Sequence, residues 1–123
     1  MKPLRIDHVT VVTPDATAAS ATFARLFGLA SAPSAVAGTA LAIGDARIEF
    51  VTPAPETPLG DALRAGGEGM AALTLTVADL GDTQRALAAG GVPFEVVTVD
   101  GRQTIAVDPR AAHGVRLTLR PRN

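Results

Sequence analysis

The residues of this 123-residue sequence with the clearest capacity for chemistry are His8 and Glu49. Each lies in a segment where side chains alternate in character, IDHVTVV for His8 and ARIEFVT for Glu49, as in a β-strand with two different faces. Histidine changes its charge near neutral pH, and a neighbouring carboxylate fixes which ring nitrogen carries the proton. If their strands lie side by side, the two residues form a candidate proton-transfer pair.

Strand parity places further polar side chains on the same faces as His8 and Glu49, where a fully buried sheet would carry apolar residues. We therefore predict a ligand cleft. The residues predicted to bind the substrate there are Thr10, Arg47, Thr74, Thr76, Arg116 and Thr118. Two alternatives stay open: His8 and Glu49 form a relic pair satisfied by each other and by water, and the threonines are simply good strand formers.

An internal duplication supplies the elements that must position these residues. The segment IDHVTVVTPD returns as ALTLTVAD, with His8 over Ala72, Thr10 over Thr74 and Asp15 over Asp79. The closing segments RIEFVTP and VRLTLRP follow in the same order. Each copy predicts strand, helix, strand, strand, strand. Because two such modules place their helices on one side of a sheet, we predict an α+β fold: two tandem βαβββ modules in a curled mixed sheet around a cleft, with the helices outside.

The predicted boundaries follow from alternation, helical spacing and turn residues. The predicted strands are Leu4–Thr13, Ala30–Val36, Thr39–Ile43, Ala46–Thr52, Met70–Val77, Phe94–Val99, Gln103–Val107 and Val115–Arg120. The predicted helices are Ala16–Phe27, about Pro58–Ala65, and Asp79–Ala89. We predict a single domain over 1–123, with module 1 at about 1–53, a linker and short helix at about 54–68, and module 2 at about 69–123.

The sequence also predicts the helix caps, the buried faces of two helices and two hairpin turns. Thr13, Pro14 and Asp15 are predicted to supply an N-cap, a first-turn proline and a first-turn carboxylate to the first helix. That helix is predicted to bury Ala19, Phe23, Leu26 and Phe27, and the third helix to bury Leu80, Leu87 and Ala88. Hairpin turns are predicted at Gly44-Asp45 and Asp100-Gly101, and His113, in the turn DPRAAHGV, is expected to be a solvated loop residue.

Composition excludes several classes of function. The charges nearly balance, with 11 Lys plus Arg against 12 Asp plus Glu, and the sequence has four Phe with no Trp or Tyr. We therefore expect no nucleic-acid partner. The absence of Cys excludes disulfides and thiolate chemistry. Since the sequence has neither a leader-like N-terminus nor a long apolar run, we expect a cytoplasmic protein without a membrane partner.

Segments spread along the chain resemble the vicinal oxygen chelate superfamily, which includes glyoxalases, dioxygenases and bleomycin resistance proteins. RIEFVTP, PLGDALRAGGEGMAALTLTVADL and VDPRAAHGVRLTL are most similar to its methylmalonyl-CoA epimerase branch. The resemblance implies a metal held by one side chain from the first and last strand of each module. His8 and Glu49 match two ligand positions, whereas Ala72 and Thr118 occupy the other two.

Half of the implied metal site is therefore missing. Alanine has no donor atom, and a threonine hydroxyl is a poor substitute for a carboxylate. We expect no cofactor, and a divalent metal only if two copies of His8 and Glu49 meet across a dimer. The resemblance also implies that the glutamate replaced by Thr118 takes part in acid-base catalysis, so neither classical epimerase nor glyoxalase I activity is expected.

The sequence thus leaves three hypotheses. The first is a metal-independent isomerase or lyase that acts on a small oxygenated substrate or acyl thioester through His8 and Glu49. The second is a noncatalytic small-molecule binding or resistance protein, and the third is a metalloenzyme with a site formed across a dimer. By analogy with the fold, we expect a homodimer.

Overall fold

The computed structural model describes residues 2–34, 38–99 and 101–122, and it confirms the predicted α+β class with two βαβββ modules. The first module comprises β1 (Pro3–Val12), α1 (Ala16–Phe27), β2 (Ser31–Ser34), β3 (Gly38–Ile43) and β4 (Ala46–Val51). A connecting helix, α2 (Pro58–Gly66), follows. The second module comprises β5 (Gly69–Val77), α3 (Leu80–Ala89), β6 (Phe94–Val99), β7 (Arg102–Val107) and β8 (Arg116–Pro121), with a short 3₁₀ helix, Pro109–Ala112, before β8.

The two modules have the same internal topology. Their strand orders are β2-β3-β4-β1 and β5-β8-β7-β6. In each module the first and last strands pair in parallel, β1 with β4 and β5 with β8, and the remaining pairs are antiparallel. The parallel pairing is what brings the opening and closing segments of each sequence repeat side by side.

Two compact units make up the chain. One contains Met1–Asp7 together with Ala72–Asn123, and the other contains His8–Ala71. The boundary lies within β1, between Asp7 and His8, so two adjacent residues contribute to different units.

Both repeat-related helices begin at an aspartate, as their local sequences predict. Asp15 Oδ1 accepts the backbone N–H of Ala18 at 3.0 Å, and Asp79 Oδ1 accepts that of Asp82 at 2.9 Å. The prediction that Thr13 is the N-cap of α1, with Pro14 and Asp15 in the first turn, is wrong. Asp15 is itself the N-cap, where it accepts an otherwise unpaired amide, and Pro14 precedes the helix. Among the described ranges, no helix has the length and apolar character needed to cross a membrane.

The core of the His8–Ala71 unit lies between α1 and the inner face of β3 and β4. Leu41 and Phe50 are fully buried there with Ala16, and Phe23 places its ring centroid 5.2 Å from that of Phe50. The predicted burial of Leu26 and Phe27 is wrong, since about two thirds of each remains exposed, and Phe23 is itself 37% exposed despite its contact with Phe50. The face of α1 that packs on the sheet carries mainly small residues. The large side chains of Leu26 and Phe27, at the end of the helix, lie outside the core.

The second unit has its own core, formed by Val77, Leu87, Ile105, Val107 and Leu119. α3 contributes Leu87 as predicted, with Leu80 packed against the edge of the cluster. The predicted burial of Ala88 is wrong, and Thr83 occupies the buried position instead. Its hydroxyl donates to the carbonyl of Asp79, so a polar residue is accommodated on the inner face of the helix.

The turn predictions are confirmed where the structure describes them. Ile43 pairs with Ala46 across a turn in which Gly44 has φ of 56°, a left-handed conformation that favours glycine. Pro33 lies in β2, the terminal strand of its order, as its missing N–H predicts. Residues 35 and 36 of the predicted strand Ala30–Val36, and Asp100 of the Asp100-Gly101 turn, lie outside the described residues.

Candidate functional site

The parallel pairing of β1 with β4 brings the two predicted catalytic residues together. In this register His8 lies opposite Arg47, and Thr10 lies opposite Glu49. Because side chains alternate along a strand, these four residues emerge on one face of the sheet. The sequence prediction that His8, Glu49, Thr10 and Arg47 share a face is thus realised within the His8–Ala71 unit.

His8 and Arg47 both approach one carboxylate oxygen of Glu49 in this unit. His8 Nδ1 lies 3.3 Å from Glu49 Oε2, and Arg47 Nη2 donates to the same oxygen at 3.0 Å. Arg47 Nη2 also lies 3.4 Å from His8 Nδ1. The Glu49 side chain is only 6% exposed and that of His8 16%, while that of Arg47 is 39% exposed. The carboxylate is therefore removed from water, and its positive neighbour still reaches solvent.

The two contacts at His8 Nδ1 require different positions of the imidazole proton. A carboxylate only accepts, so the contact with Glu49 is a hydrogen bond when Nδ1 carries a proton. A guanidinium only donates, so the contact with Arg47 is a hydrogen bond when Nδ1 is bare and the proton resides on Nε2. The first form leaves the Nε2 lone pair to act as a base, whereas the second makes Nε2–H a donor.

The donor set does not fit a divalent metal bound in the manner that the family resemblance implies. The Glu49 oxygen nearest His8 already accepts a guanidinium, whose positive charge opposes that of a cation. The other two implied ligand positions carry the methyl group of Ala72 and the hydroxyl of Thr118. Within 2–34, 38–99 and 101–122, no cluster of three or more His, Cys, Asp and Glu residues is arranged to hold a metal ion.

The remaining predicted binding residues lie together in the other unit, on the parallel pair β5 and β8. The register places Ala72 opposite Arg116 and Thr74 opposite Thr118. Thr74 is buried, and Arg116 and Thr118 are partly exposed. Thr76 is buried as well, and its hydroxyl donates to Asp7 Oδ1 at 3.5 Å.

Sequence reasoning missed a second buried carboxylate, that of Asp7. It is 4% exposed, and it accepts hydrogen bonds from Arg120 Nη1 at 3.3 Å, from Arg5 Nη2 at 3.5 Å and from the Thr76 hydroxyl. The sequence signal was an acidic residue in the middle of an otherwise strand-like segment. One arginine partner, Arg120, lies 113 positions away, whereas Arg5, two residues away, is a local signal that the sequence reasoning did not use.

Sequence reasoning also assigned no role to Glu68, in the glycine-rich segment GGEGM. Glu68 Oε1 accepts the hydroxyl of the buried Thr13 at 2.9 Å. The same Thr13 oxygen accepts the backbone N–H of Asp15 at 3.3 Å. Glu68 therefore ties the start of β5 to the turn between β1 and α1, which is a structural role.

His113 has a local structural explanation. It ends the 3₁₀ helix in a left-handed conformation with φ of 56°, and its side chain is exposed. This agrees with the expectation of a solvated loop residue. The residue contributes a backbone conformation to the turn before β8.

Tandem βαβββ modules with polar side chains on their paired first and last strands define the class of protein. The sequence matches the Glyoxalase/Bleomycin resistance protein/Dioxygenase superfamily over residues 5–118, and the chain belongs to this superfamily. The predicted resemblance is therefore confirmed at the level of the superfamily. No curated protein matches the sequence.

Solved structures with the same fold include methylmalonyl-CoA epimerases. A hypothetical protein from Bacillus halodurans C-125 superposes with a TM-score of 0.85 at 21% identity, covering 97% of this chain and 94% of that chain. Methylmalonyl-CoA epimerase from Mycobacterium tuberculosis gives 0.84 at 20% identity, covering 97% and 88%. A variant of the Streptomyces coelicolor epimerase, in complex with 2-nitronate-propionyl-CoA, gives 0.84 at 20% identity, covering 98% and 95%. At these identities the likeness establishes the fold.

Proposed function

We propose that this protein is a metal-independent isomerase or lyase that acts on a small oxygenated substrate or an acyl thioester. His8 exchanges a proton with the substrate, and Glu49 orients the imidazole. The observation that carries the proposal is the contact of His8 Nδ1 with the buried carboxylate of Glu49 at 3.3 Å. A desolvated carboxylate beside an imidazole is the arrangement by which proteins select the tautomer of a catalytic histidine.

The reaction begins with removal of a proton from a carbon next to a carbonyl group. With Nδ1–H directed at Glu49, Nε2 takes the proton, and the electron pair of the C–H bond moves into the carbonyl to give an enolate. The positive charge that forms on the imidazole is then stabilised by Glu49. An isomerase returns the proton to carbon from the imidazolium, whereas a lyase expels a leaving group from the adjacent carbon.

The residues that the sequence predicts to bind the substrate are part of this proposal. Thr10 and Arg47 lie on the same face as the proton-transfer pair. The second-module residues proposed to bind substrate are Thr74, Thr76, Arg116 and Thr118. The fold is shared with epimerases whose structures contain acyl-CoA ligands, which supports an acyl thioester as one substrate class. A homodimer and a cytoplasmic location are proposed with it.

A noncatalytic binding or resistance protein is the alternative, and one observation favours it. Arg47 donates to the same Glu49 oxygen that lies near His8, so it competes with the imidazole for the negative charge of the carboxylate. If Arg47 holds that charge permanently, Glu49 polarises His8 less and the cluster serves to position a ligand. Both hypotheses assign the ligand to the same residues, but only the enzyme would convert it to a product.

Hydrogen exchange in D₂O tests the proposal directly. Protein treated with a chelator is incubated with propionyl-CoA or dihydroxyacetone, and loss of the proton next to the carbonyl is followed by ¹H NMR. We expect exchange that is abolished in His8→Ala and strongly reduced in Glu49→Gln. His113→Asn is the matched control, because it removes the other histidine of the sequence while asparagine tolerates the left-handed conformation.

The outcomes separate the hypotheses. Exchange that survives in His8→Ala would overturn the assignment of His8 as the base. Exchange that is absent from the wild type with both probes while ligand binding persists would favour the binding protein. Exchange that appears only after Zn²⁺ or Co²⁺ is added, with stoichiometric metal in the purified dimer, would favour the metalloenzyme. Exchange in chelator-treated wild type that is lost in His8→Ala supports the metal-independent enzyme.

A further inference from the structure

Arg116 stands out among the arginines of the described residues. Three of them, Arg47, Arg116 and Arg120, are partly buried, and two of these have carboxylate partners, Glu49 and Asp7. Across the part of the chain that the structure describes, the Arg116 guanidinium has neither an ion pair nor a hydrogen bond. A partly desolvated positive charge without a counter-ion is unfavourable, which points to a partner that is not part of the described chain.

The sequence repeat shows which residue pairs with the equivalent arginine of the first module and what replaces it in the second. Aligning RIEFV with RLTLR places Arg47 over Arg116 and Glu49 over Thr118. In the first module the arginine donates to the glutamate two residues later, at 3.0 Å. In the second module a neutral threonine occupies that position. The same change that removes an implied metal ligand therefore leaves a guanidinium without its carboxylate.

The surroundings of Arg116 suit a small anion. Its register partner on β5 is Ala72, whose methyl group occupies little of the space above the sheet. Thr118 and Thr74, two residues along the same face of each strand, contribute hydroxyl groups that can donate to an oxyanion. Thr74 is 5% exposed, so its hydroxyl lies largely out of water.

We propose that Arg116, Thr74 and Thr118 form a binding site for the carboxylate group of a small organic acid. The ligand's carboxylate takes the place of the side chain that Glu49 provides in the first module. A carboxylate is favoured over a phosphate because one planar guanidinium matches both of its oxygens and balances its single charge. The site deepens the proposed function by naming a ligand chemistry, and it rests on that proposal only in assigning a small-molecule ligand to the domain.

The test is an NMR titration of ¹⁵N-labelled protein with sodium propionate at constant ionic strength. We expect saturable shifts of the Arg116 side-chain N–H and of the Leu117 and Thr118 amides. Propionamide, which has the same shape without the charge, should give none. Arg116→Gln should weaken propionate binding about tenfold or more, because a charge-assisted hydrogen bond is lost. Arg25→Gln, which removes an exposed arginine from α1, is the charge-matched control and should bind as the wild type does.

Thr118→Glu provides a second test that does not remove the arginine. It recreates the arginine-glutamate spacing of the first module, so the new carboxylate should pair with Arg116 and abolish propionate binding while the protein stays folded by circular dichroism. Unchanged propionate affinity in Arg116→Gln or Thr118→Glu, or tighter binding of phosphate than of propionate, would overturn the proposal. His8→Ala should retain propionate binding, so failure of this site and failure of the proton-transfer proposal are distinguishable.

Discussion

Replacing Arg47 and Glu49 in turn should show which loss lowers the stability of the protein more. Glu49 has a side chain only 6% exposed, whereas that of Arg47 is 39% exposed. Arg47→Gln takes the guanidinium from a carboxylate that is almost entirely buried. Glu49→Gln takes the carboxylate from a guanidinium that can turn toward solvent. We therefore expect Arg47→Gln to be the more destabilising change, although it alters the more exposed residue.

The magnitudes follow from burial. Breaking a fully buried ion pair costs about 3–5 kcal/mol, and the partial exposure of Arg47 reduces the cost of Arg47→Gln to about 2 kcal/mol. Glu49→Gln keeps a polar side chain of the same shape, and its cost should be about 1 kcal/mol. The double variant should lose about 1 kcal/mol less free energy of unfolding than the two single losses added together. Once one partner has been replaced, replacing the other no longer breaks the pair.

Urea unfolding followed by far-UV circular dichroism is the appropriate assay, because the sequence has no Trp or Tyr to report by fluorescence. The free energies of unfolding of the wild type, both single variants and the double variant complete a mutant cycle. If Glu49→Gln is as destabilising as Arg47→Gln, or more so, the burial argument is wrong. Additive losses in the double variant would show that the two side chains do not interact energetically.

Three further changes test individual structural features. Thr39→Val should raise the free energy of unfolding by about 1 kcal/mol, since the buried Thr39 hydroxyl has no hydrogen-bond partner among the described residues; a lower melting temperature would contradict this. His113→Gly should stabilise the protein by about 0.5–1 kcal/mol because φ of 56° suits glycine, whereas His113→Val should destabilise it; calorimetry that ranks valine above glycine would refute the assignment. The side chain and backbone of Arg110 hold the pKa of Asp108 below its usual 3.8, so the stabilisation by Asp108 should be present at neutral pH and disappear as the pH falls below that value. Unfolding of Asp108→Asn and of the wild type should therefore converge in acid, and a difference that persists there would contradict this explanation.

The fold could be predicted from the sequence because its determinants are local and repeated. Alternation marked the strands, and the aspartates at 15 and 79 marked the helix starts through hydrogen bonds that span only three residues. The duplication then required both modules to share one topology. The failures on α1 have a different origin: Leu26 and Phe27 have the right spacing for burial, but only packing decides how far along the helix the sheet extends.

The sequence predicted which residues of the candidate site share a face of the sheet, but not which of their side-chain atoms contact each other. Strand parity identified His8, Arg47 and Glu49 as neighbours, yet it gave no reason to expect the guanidinium and the imidazole at the same carboxylate oxygen. Arg5, two residues from Asp7, could have indicated an ion pair, but the contact of Asp7 with Arg120 joins opposite ends of the sequence and could not be predicted from it. Contacts between side chains on separate strands depend on register and rotamers, which residue patterns do not specify.

In the proposed mechanism, Glu49 holds the Nδ1 proton of His8 and so leaves Nε2 to act as a base. The most direct measurement is the ¹⁵N–¹H NMR spectrum of the His8 ring in its neutral form, with the wild type compared to Glu49→Gln. We predict that the wild type carries its proton on Nδ1, and that the proton moves to Nε2 in the variant as Arg47 becomes the donor to Nδ1. An Nε2–H tautomer in the wild type, or the same tautomer in both proteins, would contradict the claim.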